Sequence, residues 1–170
     1  MKLGRCSGGA IAALALLVAL WPVAALAHGG DPHAKKDAAQ AAAKAEQTPF
    51  GIAGDPQQVS RAIEIDMRDT MRFVPAALGV KRGETVRFVV TNSGSVLHEM
   101  VVGRMTDLEQ HAALMKKFHG MEHDEPYMAH VGPGRKGEIV WRFNRAGEFH
   151  YACLIPAHFE SGMVGGIRVE

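Results

Sequence analysis

Near the end of this 170-residue chain, Cys153, His158 and Met163 stand in the pattern C-x4-H-x4-M. A further histidine, His98, lies far upstream, just after a turn-like stretch at 92–96. Together they supply one thiolate, two imidazoles and one thioether. Each has an ordinary reading when taken alone: a buried small hydrophobe for the cysteine, a core filler for the methionine, a hydrogen-bonded ring for each histidine. As a set they suit copper. Thiolate and thioether are soft and stabilise Cu(I), while imidazole accepts either oxidation state. A trigonal His2Cys site with a weak axial Met is the arrangement that serves one-electron transfer. Placing three of the four donors in one loop fixes their relative positions. Pro156 stiffens that loop, and Gly162 permits a close turn before Met163.

The segments that must position these residues read as short strands. Ile63, Ile65 and Met67 alternate with Glu64 and Asp66, and Val86, Phe88 and Val90 alternate with Arg87, Val89 and Thr91. Turn residues bound the second of these runs, Lys81-Arg82-Gly83-Glu84 before it and Asn92-Ser93-Gly94 after it. Further strands are expected over 71–73, 78–81, 98–102, 138–143, 148–153 and 164–169. Many short strands with turn signals between them predict an all-β sandwich. One segment breaks the pattern. Thr106-Asp107-Leu108-Glu109 reads as a capping box and 110–117 is rich in helix formers, so a helix is expected over about 107–119.

The C-terminal stretch with Gly147, Phe149, Tyr151, Cys153, Pro156, His158, Gly162, Met163 and Ile167 resembles the cupredoxins, the plastocyanins, azurins and their bacterial relatives. The upstream stretch is similar to theirs as well, with Val80, Gly83, Val86 and Phe88, then Asn92, then His98. The resemblance covers roughly 59–170. It implies a Greek-key β-sandwich, here with one inserted short α-helix, and a mononuclear type 1 copper at one end. It further implies His98, Cys153 and His158 as equatorial ligands and Met163 as the axial one. The gap between Cys153 and His158 matches azurin better than plastocyanin. Two positions depart from the family pattern. Glu99 follows the first ligand histidine where many members carry an Asn that ties the ligand loops together, and Leu154 follows the cysteine where many carry a hydroxyl residue.

A second group of soft and imidazole ligands lies in the segment at about 104–130, read as a His- and Met-rich insertion. His111, Met115 and His119 share one helical face at i, i+4 and i+8. His119, Met121 and His123 form a compact clamp. Both groups are candidate accessory copper ligands. For the helix the competing reading is packing, with Leu108, Ala112 and Met115 as the core face. His28 and His33, close to a free α-amine in the processed chain, are a third candidate suited to Cu(II), against the alternative of an unstructured start. His130, just before Val131-Gly132-Pro133-Gly134, is assigned to a turn.

The N-terminus reads as a secretory signal peptide over 1–27. Lys2 and Arg5 precede an apolar run at 10–20 that is short for a membrane span, and Ala25-Leu26-Ala27 is a small-x-small cleavage site. The alternative is an uncleaved anchor helix. Cys6 precedes the apolar run instead of following it, which argues against a lipid-modified cysteine. Cleavage removes two bases and no acid, taking the formal net charge from +1 to −1. It also leaves Cys153 as the lone cysteine: an inert thiol, an intermolecular bridge or a metal ligand. Residues 28–58 read as a flexible His-containing tail, and 59–170 as the folded domain.

Balanced charge without a basic block excludes nucleic acid as an expected partner. No His-x-His pair occurs, which argues against a multicopper oxidase, and one mature cysteine excludes a binuclear thiolate-bridged centre. The expectation is a periplasmic, non-enzymatic, redox-active copper protein that contributes to copper tolerance, its partners being copper ions and a redox or copper-handling protein. The alternative is a dedicated one-electron carrier.

Overall fold

The computed structural model describes residues 46–118 and 123–170. The expected signal peptide, most of the expected tail with His28 and His33, and the pair His119 and Met121 lie outside the described residues. Among the described residues ten strands and one α-helix follow in chain order: β1 (Ile52–Ala53), β2 (Arg61–Arg68), β3 (Arg72–Val74), β4 (Ala77–Val80), β5 (Thr85–Asn92), β6 (His98–Gly103), α1 (Met105–Lys117), β7 (Met128–Val131), β8 (Lys136–Arg142), β9 (Gly147–Ala152) and β10 (Val164–Val169). They form two five-stranded sheets, ordered β1-β8-β5-β2-β3 and β4-β10-β9-β6-β7. The pairs β2–β5 and β4–β10 are parallel and the rest antiparallel. This is the expected sandwich.

Alternation decides which face of each strand enters the core. Ile65 and Met67, then Val86, Phe88 and Val90, then Ile139 and Trp141, point inward from the first sheet. Met100, Val102, Phe149, Tyr151, Ile167 and Val169 meet them from the second. β6 is the exception, because all six of its residues are buried. Its outer face is covered too, by Leu108 and Ala112 of α1, which pack on Val101 together with Met128, Ala152 and Leu154. This second layer lies against the strand that begins with His98.

Three expectations need correction. First, α1 starts two residues before the expected 107 and ends two before 119. The expected capping box does not form. The cap residue is Arg104, which makes no side-chain cap bond, and its guanidinium instead donates twice, at 2.7 Å, to the Asp107 carboxylate in the first turn. Second, His130 is not in a turn but in β7, paired opposite Glu99 of β6. Third, the last part of the expected tail is ordered. Phe50 is buried, stacked on Trp141 and edge-on to Tyr127, and β1 pairs with β8. Gly51, at φ 144°, lets the chain pass so close to Trp141 that a Cβ would lie 2.3 Å from the indole Nε1. Burying the Phe50 ring stabilises by roughly 2 kcal/mol, enough to hold a short segment against the sheet.

Candidate metal centre

His98 opens β6 and is fully buried. Its approach is a tight turn built by two side chains. Asn92 donates through Nδ2 to the carbonyls of Val96 (2.8 Å) and Val131 (2.7 Å) and accepts the Gly94 N–H. Asp69, from the turn after β2, accepts the backbone N–H and the hydroxyl of Ser95 at 2.7 and 2.6 Å. Those bonds hold the Asp69 carboxyl well below the usual carboxylate range. The ionised group therefore accepts from His98 Nε2 at 3.1 Å, which in a neutral ring places the proton on Nε2 and the lone pair on Nδ1. His98 Nδ1 is buried and has no hydrogen-bond partner. A buried imidazole nitrogen without a partner is costly unless something electrophilic meets it.

Cys153 and His158 complete the pocket. Cys153 leaves the end of β9 fully buried, with its N–H donating to the Met163 carbonyl at 3.1 Å. Its Sγ lies 3.3 Å from His158 Nδ1. Burial pushes the thiol up to about 12, partly offset by backbone N–H groups of Glu99 and Ile155 aimed at the sulfur. The metal-free site thus holds a protonated thiol, and metal binding must release that proton. His158 is half-buried, and burial followed by the neighbouring His98 lowers its basicity, so it offers a neutral ring. The two imidazole rings are 5.0 Å apart. One donor atom from each of His98, Cys153 and His158 lies within 4.8 Å of the others, the only such group of three among the described residues.

The loop that carries these donors supports itself. The N–H groups of His158, Ser161, Gly162 and Met163 donate to Ile155, Ala157, Phe159 and His158. Gly162 takes φ 83°, and Arg72 donates to the Ser161 carbonyl at 2.8 Å. The loop returns Met163 to full burial beside Cys153. On its outer side Lys116 of α1 pairs with Glu160.

Glu99, the departure from the family pattern, ties the His98 and Cys153 segments together with a carboxylate. It is 1% exposed. Oε1 accepts the Leu154 N–H at 2.8 Å, and Oε2 meets His130 Nε2 at 2.8 Å. Asp69 had no signal in the sequence, where it is one acid in an ordinary turn. Of the accessory candidates, His111 and His123 come together with ring centroids 4.7 Å apart, whereas Met115 packs on the layer under α1.

Residues 59–170 match the copper binding proteins of the plastocyanin/azurin family, and the chain belongs to that family. It is a copper-binding cupredoxin. It is 45% identical over 158 residues to the copper-resistant cuproprotein CopI of Rubrivivax gelatinosus, an alignment covering 93% of this chain and 95% of that one. It is 35% identical to the copper-resistant cuproprotein CopI of Pseudomonas aeruginosa, covering 71% and 82% of the two chains. Among solved structures it is similar to auracyanin B, with TM-score 0.59 and 19% identity over 74% of this chain and 99% of that one. An azurin from Methylomonas sp. strain J gives TM-score 0.52 and 19% identity over 66% and 99%. These structural likenesses concern the fold.

The donor chemistry and the unpartnered His98 Nδ1 fit a copper ion. Removing the carboxylate that orients His98 therefore has a readable consequence. Asp69→Ala is expected to weaken copper binding by about 10- to 100-fold, the usual cost of deleting an outer partner of a ligand histidine. Asp69→Asn, which keeps an acceptor oxygen, loses less. Competition against a chelator of known affinity measures both.

Proposed function

We propose that this chain is a periplasmic cupredoxin of copper tolerance, with one type 1 copper that would be held by His98 Nδ1, Cys153 Sγ, His158 Nδ1 and the Met163 thioether. The observation that carries the reading is the buried, unpartnered His98 Nδ1 beside the Cys153–His158 pair. Bound copper supplies a Cu(I)/Cu(II) couple. The protein supplies the surroundings: buried His98, Cys153 and Met163 exclude water, Asp69 and Glu99 hold the two ligand segments, and the bonded loop resists rearrangement. Such rigidity keeps the geometry close to constant when one electron moves. The role is binding and redox cycling, not turnover of an organic substrate. Copper tolerance is supported by the names of the CopI relatives, and export by the signal-peptide pattern at 1–27. Among the described residues no helix is long and apolar enough to cross a membrane.

A second reading, a dedicated electron carrier, is favoured by Val96 and Leu97, both more than 40% exposed at the turn entering His98, where a partner could dock. Two measurements separate and test these readings. Cu(II) titration of the processed protein should give an intense visible thiolate-to-copper band saturating at one equivalent. Its absence would remove the type 1 assignment. Deleting the gene should lower the copper concentration that stops growth; unchanged tolerance together with a lost electron-transfer rate would favour the carrier.

A further inference from the structure

Beyond the cysteine centre, two of the accessory candidates, His111 and His123, bring their imidazole rings together at a tilt. His111 lies on α1, and His123 precedes β7. Their ring centroids are 4.7 Å apart and tilted by 40°. His123 Nδ1 is buried and has no hydrogen-bond partner. His111 is half-buried, and its basicity is lowered by burial first and by His123 next, so it offers a neutral ring. The other charged groups that act on His111 are Glu99, Glu125 and His130. The two carboxylates bias the spot toward a cation. His130 is occupied on one side by Glu99, and its Nδ1 lies 3.9 Å from Asp124, so it forms a supporting tier behind the pair.

We propose that His111 and His123 are the protein ligands of a second metal site, which takes one divalent first-row ion, Cu(II) before Zn(II). Two imidazoles with carboxylates nearby suit such an ion, and the affinity order of divalent metals puts Cu(II) first. The site contains no thiolate, so it gives no intense visible band and is separable from the cysteine centre. Water completes its coordination. A chain with both sites holds more copper than its redox centre requires, as a protein exposed to excess copper would.

The test uses the processed full-length protein loaded with one equivalent of Cu(II), so that the visible band reports the cysteine centre separately from the second site. A second equivalent is then added and followed by paramagnetic resonance. The expected result is a new Cu(II) signal with no gain in the visible band. His111→Asn with His123→Asn should weaken that second event at least about tenfold, since even outer changes at metal sites cost that much. His28→Asn with His33→Asn should leave it intact. No second event in the wild type, or a second event unmoved by the first pair of changes, or one removed by the second pair, overturns the proposal. If the His111/His123 variant also fails to form the visible band, it has lost its fold. Imidazole chemical shifts of the wild type on adding Zn(II) after copper loading then decide: movement at His111 and His123 supports the site, and silence there overturns it.

Discussion

Cys153→Ser should abolish the visible band and the copper-dependent gain in thermal stability while leaving the metal-free fold in place. The metal-free protein already holds a neutral thiol at this position, since burial pushes it up to about 12. A serine hydroxyl is of similar shape and also neutral, and it can bond to His158 Nδ1 as the thiol does. The cost to the metal-free fold is therefore modest, about 1 kcal/mol. Copper changes the comparison. A ligand that binds only the folded state, at 100 times its dissociation constant, stabilises by about 2.7 kcal/mol. That increment is the upper limit of what the wild type gains. The variant loses the soft anionic donor toward which the backbone N–H groups of Glu99 and Ile155 point, and gains little. Calorimetry with and without one equivalent of copper reads the difference. A variant that melts far below the metal-free wild type would mean that Cys153 is chiefly a packing residue.

Glu99→Ala should destabilise the metal-free protein by about 2–3 kcal/mol and broaden the copper spectrum of whatever folds. The reason is asymmetry: deleting a buried acceptor leaves its donors unpaid for, each at about 1–3 kcal/mol. Here the stranded groups are the Leu154 N–H, next to Cys153, and His130 Nε2 on β7. Glu99→Gln keeps an oxygen for Leu154 and should recover most of the stability, with the His130 contact weakened. Urea unfolding measures the first effect and visible absorption the second. Equal behaviour of Ala and Gln would show that the Leu154 bond carries no weight.

How much of this was legible in the sequence depended on range. The C-x4-H-x4-M loop could be read because its donors lie between Cys153 and Met163 and their spacing is a local property. The core strands could be read because alternation is local as well; Phe88, Trp141, Phe143, Phe149 and Tyr151 are all buried as their pattern suggests. What could not be read was set by pairing across the chain. Asp69 acquires its role because the turn after β2 lies against the turn before β6. His130 was obscured by the Gly and Pro that follow it, although β7 ends at Val131, just before them. Phe50 in an Ala- and Gly-rich neighbourhood looked like part of a tail until Trp141 and Tyr127 gave it a surface. At the start of α1, the local capping box lost to Arg104 and Asp107, whose doubly hydrogen-bonded pair is the stronger interaction.

The self-bonded loop between β9 and β10 also bears on the denatured chain. Cys153, His158 and Met163 are so close in sequence that closing a ring around one ion costs little chain entropy even when the sandwich is absent. An unfolded or newly made chain would keep a weak copper affinity through these three side chains, without any contribution from His98. Copper would then stabilise the folded protein by less than its native affinity implies, because part of the binding energy is available to both states. The same locality would let an ion be captured before the strands close, with the arrival of His98 on β6 as the last step that fixes it in place.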